Sequence, residues 1–255
     1  MILEMNKRED ITIYILSHKE VEYGIWDNEL YTPIQMGNRE SYTAVRDNTG
    51  DNVSEWNEIY AENTGIYWIW KNCHSKYKGQ CQYRRRLEFP VDTNFDDIFS
   101  NYDIITCSPL KLQVTIADQY RKLHCPKDFE IIEGILKRKE PQFAFSFDQV
   151  FNGNDVFLFY SNGFIMPAEK YDAYCEWLFS IIDEYKRIKG WNTVQDAKDD
   201  IDSEIFDGSR RNYKGTIYQR QVFGFLSERL FTYYVFTRMN KILTMPYKLM
   251  EDTGI

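Results

Sequence analysis

Asp10-Ile-Thr-Ile-Tyr-Ile-Leu16, running into Ser17-His18-Lys19, is the stretch whose reading decides the fold. Its β-branched, apolar run is that of a strand buried on both faces, the kind that opens a parallel sheet. The polar trio falls at the carboxyl end of that strand, where open α/β sheets bind their ligands. An α/β class is therefore expected, with Ser17, His18 and Lys19 as the first candidate contacts.

Working outward, Tyr31–Gly37 (YTPIQMG) is a Pro- and Gly-punctuated loop or short strand. Asn48-Thr-Gly-Asp-Asn52 is turn chemistry. Asn52 or Ser54 is placed to cap a helix over Asn57–Asn72, whose aromatics are spaced as one buried face. Tyr77–Leu87 reads as a strand ending in three consecutive arginines, Arg84, Arg85 and Arg86. Phe95–Phe99 is a short helix, Tyr102–Thr106 a strand, and Val114–Cys125 a helix with Tyr120 and His124 on one face. Asp155–Met166 reads as two short strands broken at Asn162-Gly163. Ala168–Lys189 shows the clearest helical period. Asp196–Asp207 reads as a surface loop or exposed helix end, and Tyr218–Phe236 as a second long helix.

The chain has 255 residues, of which 31 are basic and 39 acidic, for a formal charge of −8. That balance argues against a general nucleic-acid binder. With 43% hydrophobic residues it can bury a sizeable core, and no internal repeat divides it. Five cysteines without paired spacing spell neither a disulfide framework nor a zinc ribbon, so reduced core thiols are expected. The amino terminus turns charged within four residues, unlike a signal peptide, and no window approaches the roughly 18 apolar residues of a membrane span. A cytoplasmic protein is expected, peripheral to a membrane at most. P-loop, GxSxG and GxGxxG patterns are absent from the sequence.

Several motifs follow in order: YTPIQMG, RDNTGDNVSEWN (from Arg46), ENTGIYWIWKN (from Glu62), GQCQYRRRL (from Gly79), QYRKLH (from Gln119), NGFIM (from Asn162), YDAYCEWLF (from Tyr171) and RQVFGFLSERL (from Arg220). The series, from Tyr14 to Leu230, resembles a bacterial family of capsular and exopolysaccharide glycosyltransferases long carried as a domain of unknown function. The hallmark His-Tyr-Arg-Arg of that family reads Gln82-Tyr83-Arg84-Arg85 here, and glutamine keeps a hydrogen bond but cannot titrate. The resemblance implies a single GT-A-like domain over 1–255, with a mostly parallel central sheet and helices on both faces. It further implies a nucleotide-sugar-binding part at about 10–110, an acceptor side at about 111–235 and a tail over 236–255. The implied activity is transfer of a sugar from a nucleotide-diphosphate sugar to a glycan or lipid-linked glycan in capsular, exopolysaccharide or O-antigen synthesis. The alternative is a relative that binds nucleotide or carbohydrate without turnover.

Such a transfer builds charge on the leaving diphosphate, and something positive must meet it. GT-A enzymes commonly use a divalent metal held by Asp-x-Asp. The formal match, Asp200-Ile201-Asp202, lies in a charge run without a preceding strand, so a solvated loop is the better reading. At the position the resemblance assigns to that motif stand Arg84 and Arg85, whose guanidinium groups grip phosphate oxygens in pairs. No metal cofactor is therefore expected, magnesium or manganese being the less favoured option. If the strand continues, Arg84 and Arg86 share a side.

Gln35 and Gly37 join the first-strand trio as base and ribose contacts. Asp47, Asp51 and Asn52 are hydroxyl acceptors or, equally, a capped helix start. Gln82, Tyr83 and Asn162 complete the donor set. For the base that takes the acceptor proton, the candidates are His124, Asp148, Glu228 and Asp103. The competing reading of Glu228 is an ion pair with Arg229 or Arg220. Tyr60, Tyr67, Trp68 and Trp70 are mainly core. The tail from Phe236 mixes cations with apolar residues and either docks on the domain or rests on a membrane.

Overall fold

The computed structural model describes residues 7–18, 29–37, 43, 45–153, 157–159 and 163–249. The strands are β1 (Ile11–Ser17), β2 (Tyr31–Gln35), β3 (Val45–Arg46), β4 (Tyr77–Gln82), β5 (Arg85–Arg86), β6 (Ile104–Cys107), β7 (Leu110–Lys111), β8 (Phe157–Leu158), β9 (Phe164–Pro167), β10 (Ile242–Met245) and β11 (Lys248–Leu249). The α-helices are α1 (Asn57–Tyr60), α2 (Asn63–Asn72), α3 (Phe95–Phe99), α4 (Ile116–Leu123), α5 (Pro126–Lys139), α6 (Ala144–Asn152), α7 (Ala168–Lys189), α8 (Val194–Phe206), α9 (Thr216–Gln219) and α10 (Val222–Arg238). Nine strands make one sheet whose main path runs β10-β6-β9-β4-β1-β2-β3, while β7 and β8 form a separate pair. β1 lies parallel to both β2 and β4, with Ser17 opposite Gln35 and Leu16 opposite Gln82. β2 with β3 and β6 with β10 are also parallel, and β9 enters antiparallel between β4 and β6. The expected mostly parallel α/β sheet is the one found.

Alternation along β1 sets the two layers. Ile11, Ile13 and Ile15 join Tyr31, Cys81, Leu87 and Phe95 in a smaller core under α3. Tyr14 and Leu16 face the larger core, where α2, α7 and α10 pack with Phe164, Tyr174, Phe223 and Phe231. The high aromatic content goes chiefly there: the Phe164 and Phe231 rings stack 4.6 Å apart, and Trp70 stacks on Phe179 at 5.8 Å. All five cysteines are buried free thiols.

Four expectations are corrected. The helix over Asn57–Asn72 breaks at Ala61, whose φ of 51° and ψ of −128° separate α1 from α2. Its start is a 3-10 turn, Ser54–Trp56, without a side-chain cap, because the Ser54 hydroxyl donates to Asp47 at 2.6 Å instead. The acidic run 196–207 lies within α8, which buries Ala197, Ile201 and Glu204; basic partners from outside the run neutralise it. The stretch from Tyr218 belongs to two helices, α9 and α10, parted at Arg220-Gln221. The tail joins the sheet, β10 beside β6 and β11 beside β5, with Asp103 accepting from the Asn240 and Lys241 amides. That is the docked alternative for the tail.

Candidate functional site

The parallel strands β1, β2 and β3 end side by side. Ser17, Gln35 and Asp47 are all buried there. Ser17 carbonyl accepts from the Met36 amide at 2.8 Å, and the Gln35 carbonyl from the Asp47 amide at 3.0 Å. One Asp47 carboxylate oxygen receives the Gly37 amide (2.9 Å) and the Ser54 hydroxyl (2.6 Å). Its other oxygen is buried with no hydrogen-bond partner among the described residues. Burial pushes the Asp47 carboxyl up, and the bonds from Ser54 and Gly37 oppose the shift. Gly37 has φ of 79°, and a Cβ there would sit 2.8 Å from the Asn57 side-chain oxygen, so glycine is required twice over. His18 is exposed and meets the Tyr83 ring edge-on at 5.4 Å.

β4 does not continue through the arginines. Gln82 pairs with Arg85 across a two-residue turn made by Tyr83 and Arg84, and the Arg85 guanidinium donates to the Gln82 amide oxygen at 3.1 Å. Arg84 is exposed with its guanidinium 5.0 Å from the Tyr83 ring. Arg86 points the other way, toward Tyr31 (5.1 Å) and Glu88 (2.5 Å). The expected common side for Arg84 and Arg86 fails because the chain reverses there. Arg85 is the arginine that enters a cleft.

That cleft, about 160 Å³, gathers residues far apart in sequence. Glu62 opens α2, Gln82 and Arg85 come from the hairpin, Gln119 and His124 from α4 and its end, and Gln221, Gly224, Phe225, Glu228 and Arg229 from α10. Leu123 and Tyr218 close it. α10 supplies its wall because Gln221, Phe225, Glu228 and Arg229 recur at three and four. The Arg229 guanidinium donates to Glu228 (2.6 Å), to the Phe225 carbonyl (2.7 Å) and to Gln119 (2.5 Å), while its Nε has no partner among the described residues. Burial pushes the Glu228 carboxyl up to about 8; Arg229 and Arg85 pull it down and Glu62 raises it. His124 lies stacked on Phe225 at 3.9 Å, and burial, then Arg229, lower it to about 4. It is therefore neutral at pH 7, and the ordinary histidine range that recommended it does not apply.

Of the expected site residues, Gln82, Arg85, His124 and Glu228 meet in the cleft. Ser17, Gln35, Gly37 and Asp47 form the group at the strand ends. Asp51 and Asn52 are exposed turn residues: Asp51 accepts from the Tyr67 hydroxyl at 3.1 Å, and Asn52 donates to the Gly50 carbonyl at 3.0 Å. Asp148 is exposed on α6, bonded by Asn152, and does not line the cleft. Asp103 holds Lys170 and the tail. Lys19 and Asn162 lie outside the described residues. Asp200 and Asp202 sit on α8, engaged by Lys189 with Trp191 and by Arg220 respectively. Cys125, Asp128 and Glu204 lie within metal-ligand reach of one another, but the Arg210 guanidinium occupies their centre with bonds of 2.8–3.0 Å. Glu62, Gln119 and Gln221 escape the sequence reading. Each lies inside one of the quoted motifs, and that position was the one available signal.

Fold and site together define an α/β domain with a charged, partly aromatic cleft beside the carboxyl ends of its central strands. Residues 12–201 match the family model described as Domain of unknown function (DUF4422), and the chain belongs to that family. Among solved structures, the apo structure of the WbbM bifunctional glycosyltransferase shares the fold, with a TM-score of 0.71 and 22% identity. The match covers 95% of this chain and 45% of that one, so this chain spans less than half of that protein. No curated protein matches.

Proposed function

We propose that the chain is a glycosyltransferase that moves a sugar from a nucleotide-diphosphate sugar to a hydroxyl of a glycan or lipid-linked glycan, in the assembly of a capsular, extracellular or O-antigen polysaccharide. The observation that carries this reading is the cleft in which a hairpin guanidinium, Arg85, and a proton-holding carboxyl, Glu228, are brought together. The fold shared with a bifunctional glycosyltransferase supports it.

In this reading the nucleotide lies against the β1–β3 ends, where Ser17, Gln35 and Asp47 meet its base and ribose. Arg85, with Arg84 at the hairpin tip, neutralises the departing diphosphate without a divalent ion. Glu228, in its ionised form, takes the acceptor proton; a base whose affinity lies near the working pH is the efficient one. Gln82, Gln119 and Gln221 offer amides to sugar hydroxyls, and Phe225 and Tyr218 offer ring faces. The protein is expected to work in the cytoplasm, peripheral to a membrane at most. Among the described residues no helix is long and apolar enough to cross one.

The test is a thermal-shift and transfer screen with UDP, GDP and CMP sugars, with and without chelator. Stabilisation by one nucleotide-diphosphate sugar together with turnover is expected. Binding without turnover would favour the inactive relative, and indifference to every nucleotide sugar would overturn the reading.

A further inference from the structure

The break between α1 and α2 is built with unusual care. Ala61 holds a φ of 51°, a conformation that non-glycine residues rarely adopt and that persists only where its surroundings enforce it. They do so here. The Ala61 amide donates to the Asn57 carbonyl at 2.8 Å, and its carbonyl receives the Asn57 amide (3.1 Å) and the Thr64 hydroxyl (3.2 Å). Next to it, the buried Asn63 amide reaches the Tyr60 and Phe223 carbonyls and the Ser227 hydroxyl, sewing the turn to α10. At the contact α10 carries Gly224: a Cβ there would stand 2.8 Å from the Ala61 Cβ and 3.4 Å from a Glu62 carboxylate oxygen.

That last distance locates Glu62. Its carboxylate lies over Gly224, and Glu228 is four residues further along the same helix, hence on the same face and one turn away. We propose that Glu62 is a positioning residue for Glu228: the strained turn presses its carboxylate onto the α10 face that carries Glu228, so that the two carboxyls hold one proton between them. This rests on the glycosyltransferase reading above.

Burial is the larger cause of the high proton affinity of Glu228, and the nearby Glu62 carboxylate raises it further. Among the described residues the other charges facing Glu228 are Arg229 on α10 and Arg85 on β5, both of which favour its ionised form, while neutral His124 faces it from the end of α4. In the transfer step the acceptor oxygen bonds to the anomeric carbon. The bond from that carbon to the diphosphate breaks, with its electron pair leaving on phosphate. The hydroxyl proton passes to ionised Glu228.

The experiment is a carbon-13 NMR titration of glutamate carboxyls in the full chain, with Glu228→Gln assigning the resonance, alongside a pH–rate profile of transfer. In wild type one glutamate is expected to titrate near pH 8. In Glu62→Gln that titration and the acidic limb of the rate profile should both fall by about one pH unit or more, and Glu62→Asp should restore part of the difference. An unmoved titration in a folded Glu62→Gln variant overturns the pairing while leaving the transferase reading intact. A moved titration with no transfer from any nucleotide sugar upholds the pair and removes the transferase reading. Should Glu62→Gln fail to fold, Glu62→Asp decides: a titration unmoved from wild type overturns the proposal whatever the transfer rate, and a lowered one supports it.

Discussion

Two clusters of the same residue types sit at either end of the Tyr120 side chain. On one side, Arg210 is clasped by Asp128 and Glu204, and the Tyr120 and Tyr185 hydroxyls donate to the same Asp128 carboxylate at 2.9 and 2.7 Å. Arg210 and Asp128 are entirely buried and all their charges are answered. On the other side, the Tyr120 ring lies 5.5 Å from the Arg229 guanidinium, which holds Glu228 and still has a bare Nε among the described residues. That second cluster opens on the cleft. Both clusters are buried and charged; they differ in whether every lone pair and proton is already spoken for, and that difference is why the second is the one proposed to react.

The comparison breaks most sharply at Glu228. Glu228→Gln should lower transfer by about 10²–10⁴-fold, the usual size of an acid–base contribution, with little loss of thermal stability. It should also change the pH dependence of folding. Between 4.5, the ordinary glutamate value, and about 8 the unfolded chain has released this proton and the folded chain keeps it. Stability from this group is thus complete below 4.5 and lost as pH rises through 8. Urea midpoints across that range should show the slope in wild type and a flatter line in the variant.

The mirror-image variant is Arg210→Met. It leaves Asp128 buried without its cation and Glu204 with Lys189 alone, and should cost about 3–5 kcal/mol, a drop in melting temperature on the order of 10 °C. Transfer per folded molecule should stay close to wild type. A large loss of activity at full stability would show the two clusters to be one functional unit joined through Tyr120.

Arg85→Ala should be milder. Loss of one charge-assisted contact is worth about 1.5–3 kcal/mol, so affinity for a nucleoside diphosphate should fall about 10- to 100-fold and that for the monophosphate far less, as calorimetry would show. Equal losses would remove Arg85 from the diphosphate.

How much of this was legible follows from how local each signal is. The boundaries of α7 could be read because Tyr171, Tyr174, Leu178, Ile181, Ile182 and Tyr185 repeat at helical spacing and are all buried. β1 was legible for a different local reason, its unbroken β-branched and apolar run, which the structure buries along nearly its whole length. α8 was not, because its acidic residues are neutralised by Lys189, Arg210 and Arg220, which lie outside the run. Of the arginine triplet, the charge was legible and the direction was not, since a two-residue turn at Tyr83-Arg84 takes Arg84 out of the strand and reverses the chain before Arg85 and Arg86. His124 and Glu228 were found by residue type, yet burial exchanged their merits: it made the histidine a poor proton carrier and brought the glutamate near neutrality. Glu62 carries no local mark beyond opening the motif ENTGIYWIWKN. Its place depends on a strained alanine beside it and a glycine more than 160 residues away.

The smallest expected effect lies at Asp200 and Asp202, and it tests the comparison from its silent side. Their spacing is that of a metal-binding pair, but they project from α8 into ion pairs with Lys189 and Arg220, at 2.6 and 2.5 Å. Both carboxylates are more than a third exposed, where an ion pair is worth about 0–1 kcal/mol. Asp200→Asn with Asp202→Asn should therefore shift stability slightly and leave transfer within about twofold of wild type, and wild-type transfer should survive chelation. Abolished transfer in that variant, restored by added manganese, would return the diphosphate to a metal and leave Arg85 with a lesser part.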